Sequence, residues 1–198
     1  MKIILSTRNP SKAEQIKAMF VGSPFQILTL TEAGIEGEAV EDGNTLHENA
    51  LKKARFAYEL SDRDGWTMAD DTGLFINHLN GAPGIKAARW AGDSATTDEI
   101  TRYTLKQLEG ASDRTAKFET VVAMVSPEGK EHYFSGQVNG SILEAPRTPP
   151  QPKMPYSPIF VPDGTDKVWA EMIVEEENLI SHRGKAFRQA RAFLEGMF

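Results

Sequence analysis

The sequence predicts an α/β fold built on a mixed β-sheet, and three observations carry the prediction. Short apolar runs alternate with helical patterns through the first half of the chain. A two-strand pattern with a tight turn follows over residues 117–138. A proline-dense loop then separates this pair from a last helical segment.

Lys2 to Ser6 reads as a short buried strand. Thr7-Arg8-Asn9-Pro10-Ser11 is a loop of turn formers, and Ser11 is placed to cap a helix over Lys12 to Phe20. A second helix spans about Thr45 to Leu60, because Leu46, Ala50, Ala54 and Ala57 make one apolar stripe. Asn49 and Lys53 share a face beside that stripe. An apolar strand is expected to end at Asp70-Asp71, with Leu74-Phe75-Ile76 as the next strand. Thr97 to Leu108 reads as a helix ending near Gly110. Lys117 to Met124 and Glu131 to Val138 form a hairpin across Ser126-Pro127-Glu128-Gly129. Pro146, Pro149, Pro150, Pro152, Pro155 and Pro158 exclude a ladder or helix interior, so residues 145–158 are a stiff loop. A final helix runs from about His182 to Leu194.

Composition narrows the class. The 198 residues fit one large domain or two small lobes, and they can bury a real core. Charged residues make up 25% and hydrophobic residues 40%, ordinary values for a globular chain. The absence of cysteine excludes disulfides and thiolate metal sites. Four histidines are too few for a His-rich zinc site. No apolar run approaches the roughly 18 residues of a membrane span, and the N-terminus has no signal-peptide pattern, so the chain is expected to be cytoplasmic. A net charge of −6 argues against general nucleic-acid binding.

The chemistry concentrates at Ala69-Asp70-Asp71-Thr72-Gly73-Leu74. Adjacent carboxylates repel unless a positive group lies between or beside them, and a divalent cation such as Mg²⁺ is one resolution. A surface turn is the other reading, since Asp, Thr and Gly all favour turns. The Thr7–Ser11 loop leads from a strand into a helix N-terminus, where free N–H groups favour phosphate, and Lys12 adds a full charge. Lys53 is either a solvated lysine or, across a helix face of small alanines, a cation reaching a cleft. Glu41-Asp42-Gly43 offers further carboxylates near that helix.

Taken together, these segments resemble the inosine triphosphate pyrophosphatase family over nearly the whole chain. The resemblance rests on Thr7-x-Asn9-x-x-Lys12, Glu48-Asn49-Ala50-x-x-Lys53-Ala54, Asp70-Asp71-Thr72-Gly73-Leu74 and Asn80-Gly81-Ala82-Pro83-Gly84. It continues through Ala88-Arg89, Phe134-x-Gly136, Pro158-Ile159-Phe160-Val161-Pro162 and Ser181-His182-Arg183-Gly184-Lys185-Ala186. It implies one domain over residues 1–198, with an elongated mixed sheet and two lobes flanking a central nucleotide-binding cleft. It further implies a homodimer and a Mg²⁺-dependent cleavage of a nucleoside triphosphate to the monophosphate and pyrophosphate. Asp71 matches the metal-binding general base, Glu41 a second acidic position at the metal, and Asp70 a supporting carboxylate. Thr7, Arg8, Asn9 and Lys12 fall on the phosphate loop, Lys53 offsets phosphate charge, and Thr72 keeps the hydroxyl of the family's usual Ser. His182 and Arg183 match positions near the purine 6-oxo group.

The base-recognition half departs from the family. Met154 stands where a Phe stacks on the purine, Ser157 replaces an Asp, and Tyr156 lies between them in a longer, proline-rich loop. Glu177 replaces a Lys that contacts the base, so either its carboxylate meets the base or it points to solvent while Lys153 or Lys167 supplies the charge. The leading expectation is therefore a pyrophosphatase with altered preference for a modified or amino-bearing purine. The alternatives are the ordinary housekeeping enzyme for inosine and xanthosine triphosphates, and a nucleotide-binding protein that has lost catalysis.

Overall fold

A computed structural model describes residues 1–197. The strands are β1 (Lys2–Leu5), β2 (Gln26–Thr29), β3 (Trp66–Ile76), β4 (Pro83–Gly84), β5 (Thr115–Val125), β6 (Glu131–Ile142) and β7 (Phe160–Pro162). They form one seven-stranded mixed sheet in the order β2-β1-β3-β5-β6-β7, with β4 paired to β3. Strand β1 runs parallel to β2 and β3, while the pairs β3–β5, β5–β6 and β6–β7 are antiparallel. The α/β fold and mixed sheet are as the sequence predicts.

The helices are α1 (Pro10–Met19), α2 (Leu46–Leu60), α3 (Thr97–Gln107), α4 (Val174–Ile180) and α5 (His182–Glu195). The cap of α1 is Asn9, not Ser11: Asn9 Oδ1 accepts from the Lys12 N–H at 3.3 Å and Pro10 takes the first turn. Ser11 instead donates its hydroxyl to Pro152 O at 3.0 Å. Thr45 caps α2, whose stripe of Ala50, Ala54 and Ala57 is fully buried as its spacing predicts. The hairpin of β5 and β6 is longer than its sequence pattern, because cross-strand pairing extends to Thr115–Ser141. Strand β2 and helix α4 carry too little periodicity to be read from sequence.

The largest difference concerns the paired carboxylates. Asp70 and Asp71 lie in the middle of β3, not at a strand end or in a turn, and Leu74-Phe75-Ile76 completes the same strand. Turn-forming residues hold an extended conformation here because β5 pairs with β3 from Thr67–Val125 to Ile76–Ala116. Cross-strand hydrogen bonding over ten pairs outweighs a local preference for turns.

Strand β3 also explains where a cleft can form. Trp66 and Met68 join one apolar cluster with Ile16, Val122 and Phe187. Leu74 and Ile76 join another with Ile100, Phe118, Phe160 and Trp169. The polar residues of β3 lie between these two cores. β1 ends at Leu5, opposite Met68, so beyond that point β3 loses its parallel neighbour, and β4 pairs antiparallel from Leu74. Among the described residues, no helix is long and apolar enough to cross a membrane.

Candidate active site

Alternation along β3 sends the two adjacent carboxylates toward different helices. Asp70 meets α1 and α5: its Oδ2 accepts from Lys12 Nζ at 3.0 Å and from Arg183 Nε at 3.4 Å. Asp71 meets α2: its Oδ1 accepts from Lys53 Nζ at 2.8 Å and its Oδ2 from Asn49 Nδ2 at 3.4 Å. Each carboxylate thus has its own cationic partner. Lys53 also reaches Glu41 Oε2 at 3.1 Å, so one buried ammonium bridges two carboxylates.

The electrostatics differ accordingly. Burial alone would raise the Asp70 pKa, but the charges of Lys12, Arg183 and Lys53 hold it well below the usual carboxylate range. For Asp71 burial wins over Lys53, and the carboxyl is pushed up. Burial opposes the charge on Lys53, yet Asp71 and Glu41 outweigh it and raise its pKa. Asp70 is therefore a fixed anion, while Asp71 is better placed to exchange a proton.

Both groups line a cavity of about 660 Å³ that begins beyond the carboxyl end of β1. Thr7, Arg8, Asn9, Lys12, Glu41, Lys53 and Thr72 line the same cavity. Thr72 Oγ1 lies 3.2 Å from Asp70 Oδ2 and 2.7 Å from Thr120 Oγ1, so its hydroxyl is tied into the Asp70 network. Asn9 is partly committed as a helix cap, and its Nδ2 donates to Lys153 O at 3.4 Å. The Arg8 guanidinium donates to carbonyls of residues 35 and 37.

The cavity is also lined by Met154, Tyr156, Ser157, Glu177, His182 and Arg183. His182 stacks on Phe118 with centroids 4.7 Å apart, and its Nδ1 has no partner among the described residues. Burial, reinforced by the charge of Arg183, keeps its pKa well below the ordinary histidine value. Glu177 is only 5% exposed, which removes the solvent-facing reading. Burial raises its pKa against the opposing charge of Arg183. Lys167 pairs with Glu176 at 3.0 Å and does not line the cavity, whereas Lys153 does. Tyr156 donates its hydroxyl to Ala87 O at 2.8 Å, and Ser157 donates to Met154 O at 2.8 Å. Those two polar groups hold the loop.

Two close backbone approaches seat this part of the lining. A Cβ on Gly184 would lie 1.9 Å from Asn178 O, and one on Gly136 would lie 2.2 Å from His182 O. Only glycine lets the start of α5 pack against α4 and β6 in this way. Gln15, Arg89, Phe118 and Trp169 carry no role in the sequence reading. Gln15 accepts from Arg183 Nη1 at 2.8 Å, and Arg89 Nη2 donates to Glu41 O at 3.1 Å. Gln15 follows Lys12 by three residues on α1, a spacing that placed it on the same helix face.

The fold and cleft define an α/β protein with a candidate ligand site beyond the carboxyl end of a parallel strand. The Ham1 family model matches residues 3–193, and the chain belongs to that family. It is 44% identical over 196 residues to a dITP/XTP pyrophosphatase of Thermoanaerobacter pseudethanolicus, covering 98% of this chain and 96% of the relative. A HAM1 protein from Coxiella burnetii superposes with a TM-score of 0.85 at 33% identity, over 99% of both chains. A nucleoside-triphosphatase/dITP/XTP pyrophosphatase from Mycobacterium abscessus superposes with a TM-score of 0.71 at 35% identity, over 98% of this chain and 99% of that one.

Proposed function

We propose that this Ham1 family member is a Mg²⁺-dependent housekeeping pyrophosphatase acting on inosine, deoxyinosine and xanthosine triphosphates. The chain is an enzyme of the nucleoside triphosphate pyrophosphatase class. The observation that carries the proposal is the mixed lining of one cavity. It combines the charged Lys12, Lys53, Asp71 and Glu41 with the buried Phe118, Glu177 and His182. A triphosphate suits the first and a purine the second.

The donor set fits Mg²⁺. Asp71 and Glu41 supply hard oxygen ligands on either side of Lys53. Among the described residues, no group of three or more acidic or histidine side chains can hold a metal unaided. An ion there would be held by one or two carboxylates together with substrate phosphates. When bound, Mg²⁺ would offset phosphate charge and polarise the phosphorus–oxygen bonds. Lys12 and Lys53 would bind the phosphate tail by charge. Asp71 would take the proton of the attacking water as the bond between the α and β phosphates breaks. Asp70 would hold Lys12 and Arg183 in place.

At the base end, the Glu177 carboxylate is an acceptor for a ring N–H. Purines with a 6-oxo group carry N1–H, and adenine does not. This chemistry accommodates Glu177 within the ordinary substrate range, and the relatives' names favour that range over a modified purine. The proposal also takes the enzyme as a cytoplasmic homodimer, for which light scattering should return twice the 21.9 kDa chain mass.

Pyrophosphate release with Mg²⁺ across dITP, ITP, XTP, ATP, GTP and an amino-bearing purine triphosphate tests the reading. The first three should exceed ATP in kcat/KM by at least about tenfold, the scale of one polar contact. Preference for the amino-bearing purine would restore the altered-specificity reading. No pyrophosphate from any nucleotide would refute the assigned reaction.

A further inference from the structure

Arg8 stands between Thr7 and Asn9 on the loop after β1, where a cation would ordinarily face phosphate. Its guanidinium is spent elsewhere. Nη2 donates to Ile35 O and Gly37 O at 2.8 Å each, Nε donates to Gly37 O at 3.1 Å, and Nη1 donates to Thr31 Oγ1 at 3.2 Å. Thr31 and Ile35 precede, and Gly37 opens, a segment, residues 37–44, that forms neither helix nor strand.

That segment has little apolar anchorage. Val40 is 71% exposed, and Gly37, Glu38, Glu41 and Asp42 are also exposed. Nevertheless Glu38, Ala39 and Glu41 line the active-site cavity. Polar contacts from distant parts of the chain hold it there. Lys53 takes the Glu41 carboxylate, Arg89 the Glu41 carbonyl, Lys52 the Asp42 carboxylate, and Asn49 Oδ1 accepts the Gly43 N–H at 2.8 Å. Arg8 holds the entry to the segment, and its planar fork satisfies carbonyls that a single ammonium cannot satisfy together.

We propose that Arg8 is a positioning residue: it fixes the 37–44 segment, and through it Glu41, against the cavity, in place of the substrate contact that its loop position implies. The consequence for the metal rests on the reading of Glu41 given above. The anchoring itself does not, because it exists in the free protein.

Hydrogen exchange on the free protein, with Arg8→Ala and Arg8→Lys, tests the anchoring. Both variants should speed amide exchange in residues 37–44 by about tenfold or more while leaving α1 protected, given the strength of charge-assisted hydrogen bonds. In turnover, both should raise the Mg²⁺ concentration for half-maximal rate by about five- to tenfold, with KM for the nucleotide at saturating Mg²⁺ nearly unchanged. Unchanged exchange in 37–44 would overturn the proposal. So would a raised nucleotide KM in Arg8→Ala that Arg8→Lys restores, the pattern of a direct phosphate contact. If the wild-type protein releases no pyrophosphate, the proposed reaction fails while the exchange data still decide the role of Arg8.

Discussion

Replacing each of the paired carboxylates by its amide should separate stability from turnover. Asp70 is 1% exposed in its side chain and is the shared counterion of Lys12 and Arg183. Arg183 is itself 4% exposed, and its other partners are neutral, Gln15 at 2.8 Å and Thr72 at 3.4 Å. Asp70→Asn would therefore leave two cations in a poorly solvated site without an anion between them. Breaking a buried ion pair from one side costs about 3–5 kcal/mol. For a domain of this size that is a fall in Tm on the order of 6–20 °C. Asp71→Asn leaves Lys53 its second carboxylate, Glu41 at 3.1 Å, so its cost should stay near 1 kcal/mol, the scale of one hydrogen bond. Its effect falls on the rate, with a loss of at least about 100-fold for removing an acid–base group. Urea and thermal unfolding give the first quantity, and pyrophosphate release at saturating Mg²⁺ the second. Equal Tm losses for the two variants, or a near-wild-type rate for Asp71→Asn, would refute the division of labour between the carboxylates.

Two further outcomes follow from the base end. Glu177→Met keeps the side-chain volume but removes the acceptor, so the ratio of kcat/KM for ITP over ATP should fall by about tenfold; an unchanged ratio would show that the carboxylate does not meet the base. His182 is held neutral below its ordinary pKa of 6.5, so the unfolded chain binds more protons than the folded one below that pH. Its stabilising contribution is present above pH 6.5 and declines as pH falls toward the folded value, by at most about 1.4 kcal/mol per pH unit. His182→Gln should flatten the pH dependence of unfolding between pH 6.5 and 5, and an identical slope would remove His182 as its source.

Much of the Lys12, Lys53 and Asp71 cluster was legible because its residues act locally. A helix start after the Thr7–Ser11 loop was legible, although its cap is Asn9 and not Ser11, and Asn49 and Lys53 share a helix face by spacing alone, which brings both to Asp71. The base end was less legible. Whether Glu177 pointed inward depended on helix α4, a seven-residue element without a clear apolar stripe. The role of Arg8 was hidden for a similar reason, since its acceptors are two backbone carbonyls and one hydroxyl more than 20 residues away, which no residue pattern encodes.

The sequence by itself determined the alternation of strands and helices, the buried face of α2, the hairpin of β5 and β6, and the inventory of charged groups at the site. These follow from periodicity and residue chemistry, which are local. Tertiary structure alone decided that Asp70-Asp71 lies mid-strand, because pairing with β5 overrides the turn preference of Asp-Thr-Gly. It also decided that the two carboxylates answer to different helices and that the edge of β3 is open where β1 stops at Leu5. Those facts depend on which strand ends first and which helix covers each face. They are properties of pairing and packing between distant segments, where the energy of many long-range contacts outweighs local preference.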